Sequence, residues 1–115
     1  MPDAVIDVAT FRALEEAAGA EFVAELIGTF LDEAPRMTGQ LASALAAGDE
    51  EMFRRAAHSL KSNSLTFGAM ALGALARGLE LDARDVVKAG DPGALVALAA
   101  EQQRVAAALQ ELRDA

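Results

Sequence analysis

The chain contains a single histidine, His58, and no cysteine, and the residues around that histidine form two stripes at helical spacing. Positions three and four apart lie on one face of a helix. The first stripe predicts a buried face and comprises Phe53, Ala57, Leu60, Ser64 and Phe67. The second stripe comprises Arg54, His58, Lys61, Ser62 and Leu65. Because His58 is about 100° around the helix from Ala57, we expect its imidazole at the edge of the packed face and open to solvent.

An exposed imidazole in this setting could act as a nucleophile, because histidine has an unperturbed pKa of about 6.5. A phosphoryl group on His58 would carry negative charge beside Lys61, one helical turn away. At about 4 Å such a pair attracts by roughly 1 kcal/mol in water and by about 4 kcal/mol at an effective dielectric constant of about 20. Ser62 is small enough to let a partner's phosphate approach. Arg54 and Arg55 add positive charge that would suit docking to an acidic pocket.

Other roles for His58 fit the sequence less well. A metal site would need cysteine, histidine or glutamate ligands at suitable offsets, and the sequence around His58 has none. Ser59, Ser62 and Ser64 share the helix, but a hydrolytic triad would need a nucleophile elbow or a glycine-rich oxyanion loop. The sequence has no phosphate-binding P-loop, so we expect no ATP use and no cofactor. The simplest alternative is a polar residue on a helical surface.

Composition indicates an acidic, all-α protein. Of the 115 residues, 53% are hydrophobic and only 4% are aromatic, and alanine and leucine dominate, which favours closely packed helices. The net charge of −8 argues against binding to nucleic acid or to an anionic membrane surface. The apolar runs, such as residues 94–100, are far shorter than the roughly 18 residues of a membrane helix. With no secretory leader at its start, we expect a soluble cytoplasmic protein that forms one domain over residues 1–115.

The first half of the chain predicts a short helix and a long one. Asp7 or Thr10 can cap the short helix, and Gly19 is its expected end. The long helix is expected from about Ala20 to Ala47, with an inward set of Phe22, Leu26, Phe30, Ala34, Met37, Leu41 and Leu45. Pro35 falls in the middle of it, so either one kinked helix or two successive helices could form. The unbroken periodicity favours one kinked helix.

The second half predicts three further helices. Asp49 caps the histidine helix, which should run to about Thr66 and end at Gly68. The next helix should begin near Ala69 and bury Leu72, Leu75, Leu79 and Val86, while its Gly73 and Gly78 should allow close approach to a neighbour. The last should begin at residues 90–92, Gly-Asp-Pro, and bury Leu95, Leu98, Gln102, Val105, Leu109 and Leu112. Short loops make sequential helices antiparallel. The predicted fold is therefore an antiparallel up-down-up-down four-helix bundle with a short N-terminal capping helix.

The residues around His58 resemble the histidine-containing phosphotransfer (HPt) domain family, whose members typically read His-x-Leu-Lys-Gly, then small residues, then an apolar residue and glycine. Residues 58–64 read HSLKSNS and are followed by Phe67-Gly68-Ala69 and later by Leu79-Glu80. The resemblance extends back through residues 30–35, FLDEAP, and residues 46–49, AAGD, and so covers roughly residues 11–80. The chain departs from the family pattern at Ser62, where glycine is usual.

The resemblance implies a phosphorelay intermediate. One exposed histidine in such a domain exchanges a phosphoryl group with the aspartate of a response-regulator receiver domain, which implies His58 as acceptor and donor and Lys61 as the residue that stabilises the phosphate charge. The HPt domain itself binds no nucleotide, and the receiver supplies the magnesium. We therefore expect no kinase or ATPase activity. The expected partners are receiver domains of a hybrid histidine kinase and of a downstream regulator.

A receiver's acidic cleft must lie flat around His58 for the two reacting groups to meet, so we expect docking across the histidine helix and its neighbours. The expected contacts are Glu33 and Met37 on the preceding helix, Arg54, Arg55, Ser62 and Leu65 on the histidine helix, and Arg77 on the following helix. Two alternatives stay open: a non-catalytic helical-bundle interaction module, and a kinase-linked HPt domain phosphorylated directly by an ATP-binding domain. A relay protein and an interaction module differ in that only the first gains acid-labile phosphate from a phosphorylated receiver.

Overall fold

The computed structural model describes residues 5–114, which are almost entirely helical and contain no strand within that range. The helices are α1 (Val8–Ala18), α2 (Ala20–Ala47), α3 (Glu50–Thr66), α4 (Met70–Leu81), α5 (Ala83–Ala89) and α6 (Val96–Asp114), and a 3₁₀ turn (Pro92–Leu95) precedes α6. The all-α prediction is confirmed. Among these helices, none combines the length and the apolar character that a membrane span requires.

The number of helices differs from the prediction, because the region expected to form one helix before Gly90 divides into α4 and α5 at Asp82. Asp82 has φ −97° and ψ 12°, outside the helical range, and aspartate is among the weaker helix formers. Ala83 and Val87 are buried after the break, whereas Val86 is only partly buried. The prediction of one helix that buries both Leu79 and Val86 is therefore wrong for this region. Since the structure has six helices rather than the five that were expected within residues 5–114, the up-down-up-down arrangement stays a prediction.

α2 is one helix that includes Pro35, so the alternative of two successive helices is wrong, and the kink at Pro35 stays a prediction. Its buried stripe, however, begins differently: Phe22 was expected inside but is 51% exposed, whereas Val23 and Ile27 are buried. Both sets are compatible with a helix that buries Phe30, because Leu26 and Phe22 lie four and eight residues before it and Ile27 and Val23 lie three and seven. The structure buries the second set.

The other helix ends follow the predictions closely. The Asp49 carboxylate accepts a hydrogen bond from the Met52 N–H at 3.1 Å, which caps α3. The Asp91 carboxylate accepts one from the Gly93 N–H at 2.9 Å, although the first turn there is 3₁₀ rather than α-helical. Gln102, the polar member of the α6 stripe, accepts a hydrogen bond from the Thr38 hydroxyl of α2.

The predicted contacts of α4 are only partly correct. Leu75 was expected inside but is exposed, and Ala76 is the buried residue at that level. Gly73 does lie against a neighbour, because a Cβ added there would be 2.6 Å from Leu65 Cδ2 of α3. Gly78 does not, since a Cβ there would meet no heavy atom within 4 Å.

The rotation of α3 about its axis is fixed by its apolar stripe. Phe53, Ala57, Leu60 and Ser64 are completely buried, and the Ser64 hydroxyl donates a hydrogen bond to the Leu60 carbonyl at 2.6 Å. Phe67, just after the helix, packs edge-to-face on Phe30 of α2, with ring centroids 5.5 Å apart. The stripe on the other side of α3, which includes His58, is consequently turned outward.

Gly68 joins the end of α3 to the N-terminal segment. Its carbonyl accepts a hydrogen bond from the Asp7 N–H at 2.8 Å, and its φ is +84°. A Cβ at this position would lie 2.8 Å from the Asp7 carbonyl oxygen and 3.1 Å from Thr10 Cβ. Glycine is therefore required both by the backbone conformation and by the close packing of α1.

We predict that Gly68→Ala lowers the free energy of unfolding by about 2–4 kcal/mol, since it combines a left-handed conformation with overpacking. Gly78→Ala is the matched control, because its Cβ enters open space within a helix and should raise the free energy of unfolding by up to about 1 kcal/mol. Urea unfolding followed by circular dichroism measures both. Equal stability of Gly68→Ala and the wild type would contradict the role given to Gly68.

Candidate functional site

His58 lies in the middle of α3 with 60% of its side chain exposed, as the stripe pattern predicted. Its Nδ1 is 2.7 Å from Oε2 of Glu80, which lies on α4. The Nζ of Lys61 is 2.7 Å from the other carboxylate oxygen, Oε1. One carboxylate therefore holds both the imidazole and the ammonium group.

The packing of α4 on α3 brings Glu80 within reach of His58. Leu72, Gly73 and Ala76 form the buried face of α4, and Glu80 comes one turn after Ala76. Small side chains on that face let the two helices approach closely. Glu80 is itself partly buried, with 19% of its side chain exposed, so its carboxylate is directed along the α3 surface rather than into open solvent.

The ion pairs keep Glu80 in its charged form. The hydrogen bond from Lys61 lowers the pKa of Glu80 below its ordinary value of 4.5, against the opposing effect of burial, and the hydrogen bond with His58 lowers it further. An ionised carboxylate can only accept hydrogen bonds. The proton of a neutral His58 therefore lies on Nδ1, and the lone pair of Nε2 points away from Glu80 and is free to react.

Glu80 was not among the site residues that the sequence predicted. Helical spacing shows which residues share a face of α3, but it cannot show which residue of the next helix lies opposite them. The available signal was the family resemblance, in which Leu79-Glu80 was one of the matching segments. Lys61 is where the spacing placed it, one turn from His58, but it is held by Glu80 rather than free.

Three of the predicted docking residues, Arg54, Leu65 and Arg77, lie together in a groove between α3 and α4, which we call the α3–α4 groove. It is lined by Arg54, Lys61, Leu65, Arg77, Glu80 and Leu81. Ser62 is exposed on the same helix as His58, one turn further on. The charges of the two arginines in α3 are partly compensated, because Arg54 pairs with Glu50 at 2.7 Å and Arg55 with Glu51 at 3.3 Å.

The remaining two predicted docking residues lie on the other side of α3. Glu33 lines a second groove, the α2–α3 groove, together with Leu26, Thr29, Phe30, Asn63, Thr66 and Phe67. Met37 is close by, since its sulfur accepts a weak hydrogen bond from the Asn63 amide at 3.9 Å. Five of the predicted docking residues thus lie in or beside two grooves on either side of α3, while Arg55 and Ser62 are exposed on α3 outside both grooves. No group of three or more acidic, histidine or cysteine side chains within residues 5–114 could hold a metal ion.

Comparisons with known proteins agree on one family. The family model described as Hpt domain matches residues 25–115. The crystal structure of histidine-containing phosphotransfer protein B from Pseudomonas aeruginosa PAO1 is similar to this chain with a TM-score of 0.86 and 27% sequence identity, over 96% of this chain and 95% of that one. No significant match was found among curated protein sequences.

The lowered pKa of Glu80 predicts a pH-dependent contribution to stability. A carboxylate whose pKa is lower in the folded state stabilises the protein above the unfolded pKa, and this contribution is lost as the pH falls through the folded value. The wild type should therefore be more stable than Glu80→Gln near neutral pH, by about 1 kcal/mol. The difference should shrink as the pH falls below 4.5, the ordinary value for glutamate.

Urea unfolding of the two proteins between neutral pH and pH of about 3 measures this difference. Glu25→Gln is the control, since it removes the same charge at an exposed position that forms no ion pair within the described residues. A difference between wild type and Glu80→Gln that stays constant over the whole pH range would show that the bridge through Glu80 does not contribute to stability.

Proposed function

Because the chain belongs to the Hpt domain family, whose members are phosphotransfer intermediates of two-component signalling, we propose that His58 is the residue that carries the phosphoryl group. The observation that supports the assignment most strongly is that the only histidine of the chain lies in mid-helix with 60% of its side chain exposed and with Nδ1 held by Glu80, which leaves Nε2 as the nitrogen without that partner. The phosphoryl group would come from, and return to, the aspartate of a receiver domain.

The chemistry of the proposed transfer follows from the tautomer. The lone pair of His58 Nε2 attacks the phosphorus of the aspartyl phosphate, so that the N–P bond forms as the bond between phosphorus and the aspartate oxygen breaks. The receiver's aspartate leaves as a carboxylate, and no proton has to move. The ring becomes positively charged because Nδ1 keeps its proton, and the Glu80 carboxylate at 2.7 Å stabilises that charge. The reverse reaction regenerates the neutral ring.

Lys61 is the residue proposed to stabilise the phosphoryl group itself. Its ammonium group is held by Glu80 on the same side of α3 as His58. A positive charge positioned in advance costs no reorganisation when the transferring group arrives. We propose no cofactor for this chain, and the magnesium ion of the reaction would be bound by the receiver.

The proposed partner covers the exposed face of α3. The contacts are proposed to come from Glu33, Met37, Arg54, Arg55, Ser62, Leu65 and Arg77. The exposure of Arg54, Arg55, Ser62, Leu65 and Arg77 on α3 and α4 supports this proposal. The partners would be the receivers of a hybrid histidine kinase and of a downstream regulator, in the cytoplasm. We further propose that α2, α3, α4 with α5, and α6 make the four members of an up-down-up-down bundle in one domain, with α1 as the cap.

The first prediction from this proposal concerns the nucleophile. His58→Gln should fold like the wild type, since the side chain is exposed and no core contact is lost, but it should accept no phosphoryl group. Purified receiver domains, phosphorylated with acetyl phosphate, are incubated with each protein, and acid-labile phosphate on this chain is measured. ¹⁵N NMR of the phosphorylated wild type should place the phosphorus on Nε2. Transfer of phosphate to His58→Gln would remove His58 from the mechanism.

The second prediction concerns Lys61, one of only two lysines in the chain. Lys61→Ala should slow phosphoryl transfer by roughly 5- to 30-fold, because a partly screened charge pair contributes about 1–2 kcal/mol to the transition state. Lys88→Ala, which removes the other lysine from α5, is the matched control and should transfer at the wild-type rate. Equal rates for the two variants in rapid-quench measurements would exclude a role for the Lys61 charge.

A further inference from the structure

The α3–α4 groove is a locally basic region on an acidic protein. Its lining contains three cations, Arg54, Lys61 and Arg77, and one anion, Glu80, whereas the chain as a whole has a net charge of −8. Glu80 also contacts His58, so the groove begins directly beside the imidazole. A partner that covers the exposed side of His58 therefore meets this groove.

Arg77 is the cation of this groove that has no partner within residues 5–114. Lys61 is bound by Glu80, and Arg54 is bound by Glu50. Arg77 is exposed on α4, one turn before Glu80, and forms no ion pair with any residue of that range. An arginine in this state can pair with an incoming carboxylate without first breaking an existing contact.

Two leucines give the same groove an apolar surface. Leu81, the last residue of α4, is 71% exposed, the highest value among the large apolar side chains of residues 5–114. Leu65 is also exposed and lies across α4 where Gly73 has no side chain, since a Cβ there would be 2.6 Å from Leu65 Cδ2. Exposed apolar side chains surrounded by polar ones mark interaction surfaces.

We propose that the α3–α4 groove is the part of the docking face that selects the receiver. A carboxylate on the receiver's rim pairs with Arg77, and an apolar side chain next to it packs between Leu65 and Leu81. This inference rests on the proposed function, and it makes Arg77 a specificity-determining residue rather than a catalytic one. The α2–α3 groove, lined by apolar and neutral side chains with Glu33 as its charged member, has no cation to offer such a rim. The difference between the two grooves fixes the orientation of the partner on α3.

The charged contact is tested with Arg77→Gln and Arg113→Gln. Both variants remove one positive charge, but Arg113 lies at the end of α6, which does not line the groove. With the receiver that exchanges phosphate fastest with the wild type, Arg77→Gln should lower the second-order rate constant of transfer by about 3- to 10-fold at low salt. The loss should diminish at high salt, and the maximal rate at saturating receiver should stay unchanged.

The apolar contact is tested with Leu81→Ser and Val96→Ser. Val96 is 67% exposed and begins α6, so the pair is matched in exposure but not in location. Binding of the unphosphorylated receiver to these variants in a His58→Gln background is measured by isothermal titration calorimetry, which removes phosphoryl transfer from the measurement. Leu81→Ser should weaken binding by about 3- to 10-fold, and Val96→Ser should bind like its parent.

The outcomes separate this inference from the proposed function. Normal exchange by the wild type, combined with equal rates for Arg77→Gln and Arg113→Gln and equal affinities for Leu81→Ser and Val96→Ser, would overturn the groove's role and leave His58 as the proposed carrier. Loss confined to the Arg77 and Leu81 variants supports it. Failure of the wild type to exchange phosphate with any receiver would overturn both.

Discussion

The site depends on one constraint, the burial of a single stripe of α3. Phe53, Ala57 and Leu60 have no exposed surface, and rotating the helix would bring apolar area into water at a cost of about 25 cal/mol for each Å². The rotation of α3 is therefore set by its least reactive residues. His58 is exposed because of what its neighbours bury, and its position needs no support of its own from the core.

A second constraint is the close packing of α4 on α3, which brings a carboxylate partner to His58 that α3 itself does not provide. A histidine on an isolated exposed stripe would exchange between tautomers and rotamers. Because Gly73 and Ala76 are small and Leu72 is buried, α4 lies near enough for the Glu80 carboxylate to reach both His58 and Lys61. The contacts of Glu80 with His58 and Lys61 thus depend on the packing of other residues of α4, which do not themselves take part in those contacts.

The sequence predicted those features that depend on spacing within one helix or on a local cap. The buried and exposed stripes of α3, the Asp49 cap and the end of α1 at Gly19 belong to this group. It did not predict features in which two alternatives satisfy the same spacing. Phe22 and Val23 both fit a helix that buries Phe30, and only the packing of neighbouring helices decides between them. Glu80 was missed as a site residue for a related reason, since the register of α4 against α3 is a tertiary property.

The bridge through Glu80 also bears on how a phosphoryl carrier works in both directions. On the proposed function, the carboxylate would stabilise the positive ring that forms when Nε2 is phosphorylated, but its own negative charge would repel the phosphoryl group. Lys61, bound to the same carboxylate at 2.7 Å, has the opposite effect on the phosphoryl group. These two interactions with the phosphoryl group have opposite signs and would therefore partly cancel. On the proposed function, Lys61 would thus offset part of the repulsion between Glu80 and the phosphoryl group, while the same carboxylate remains available to stabilise the charged ring.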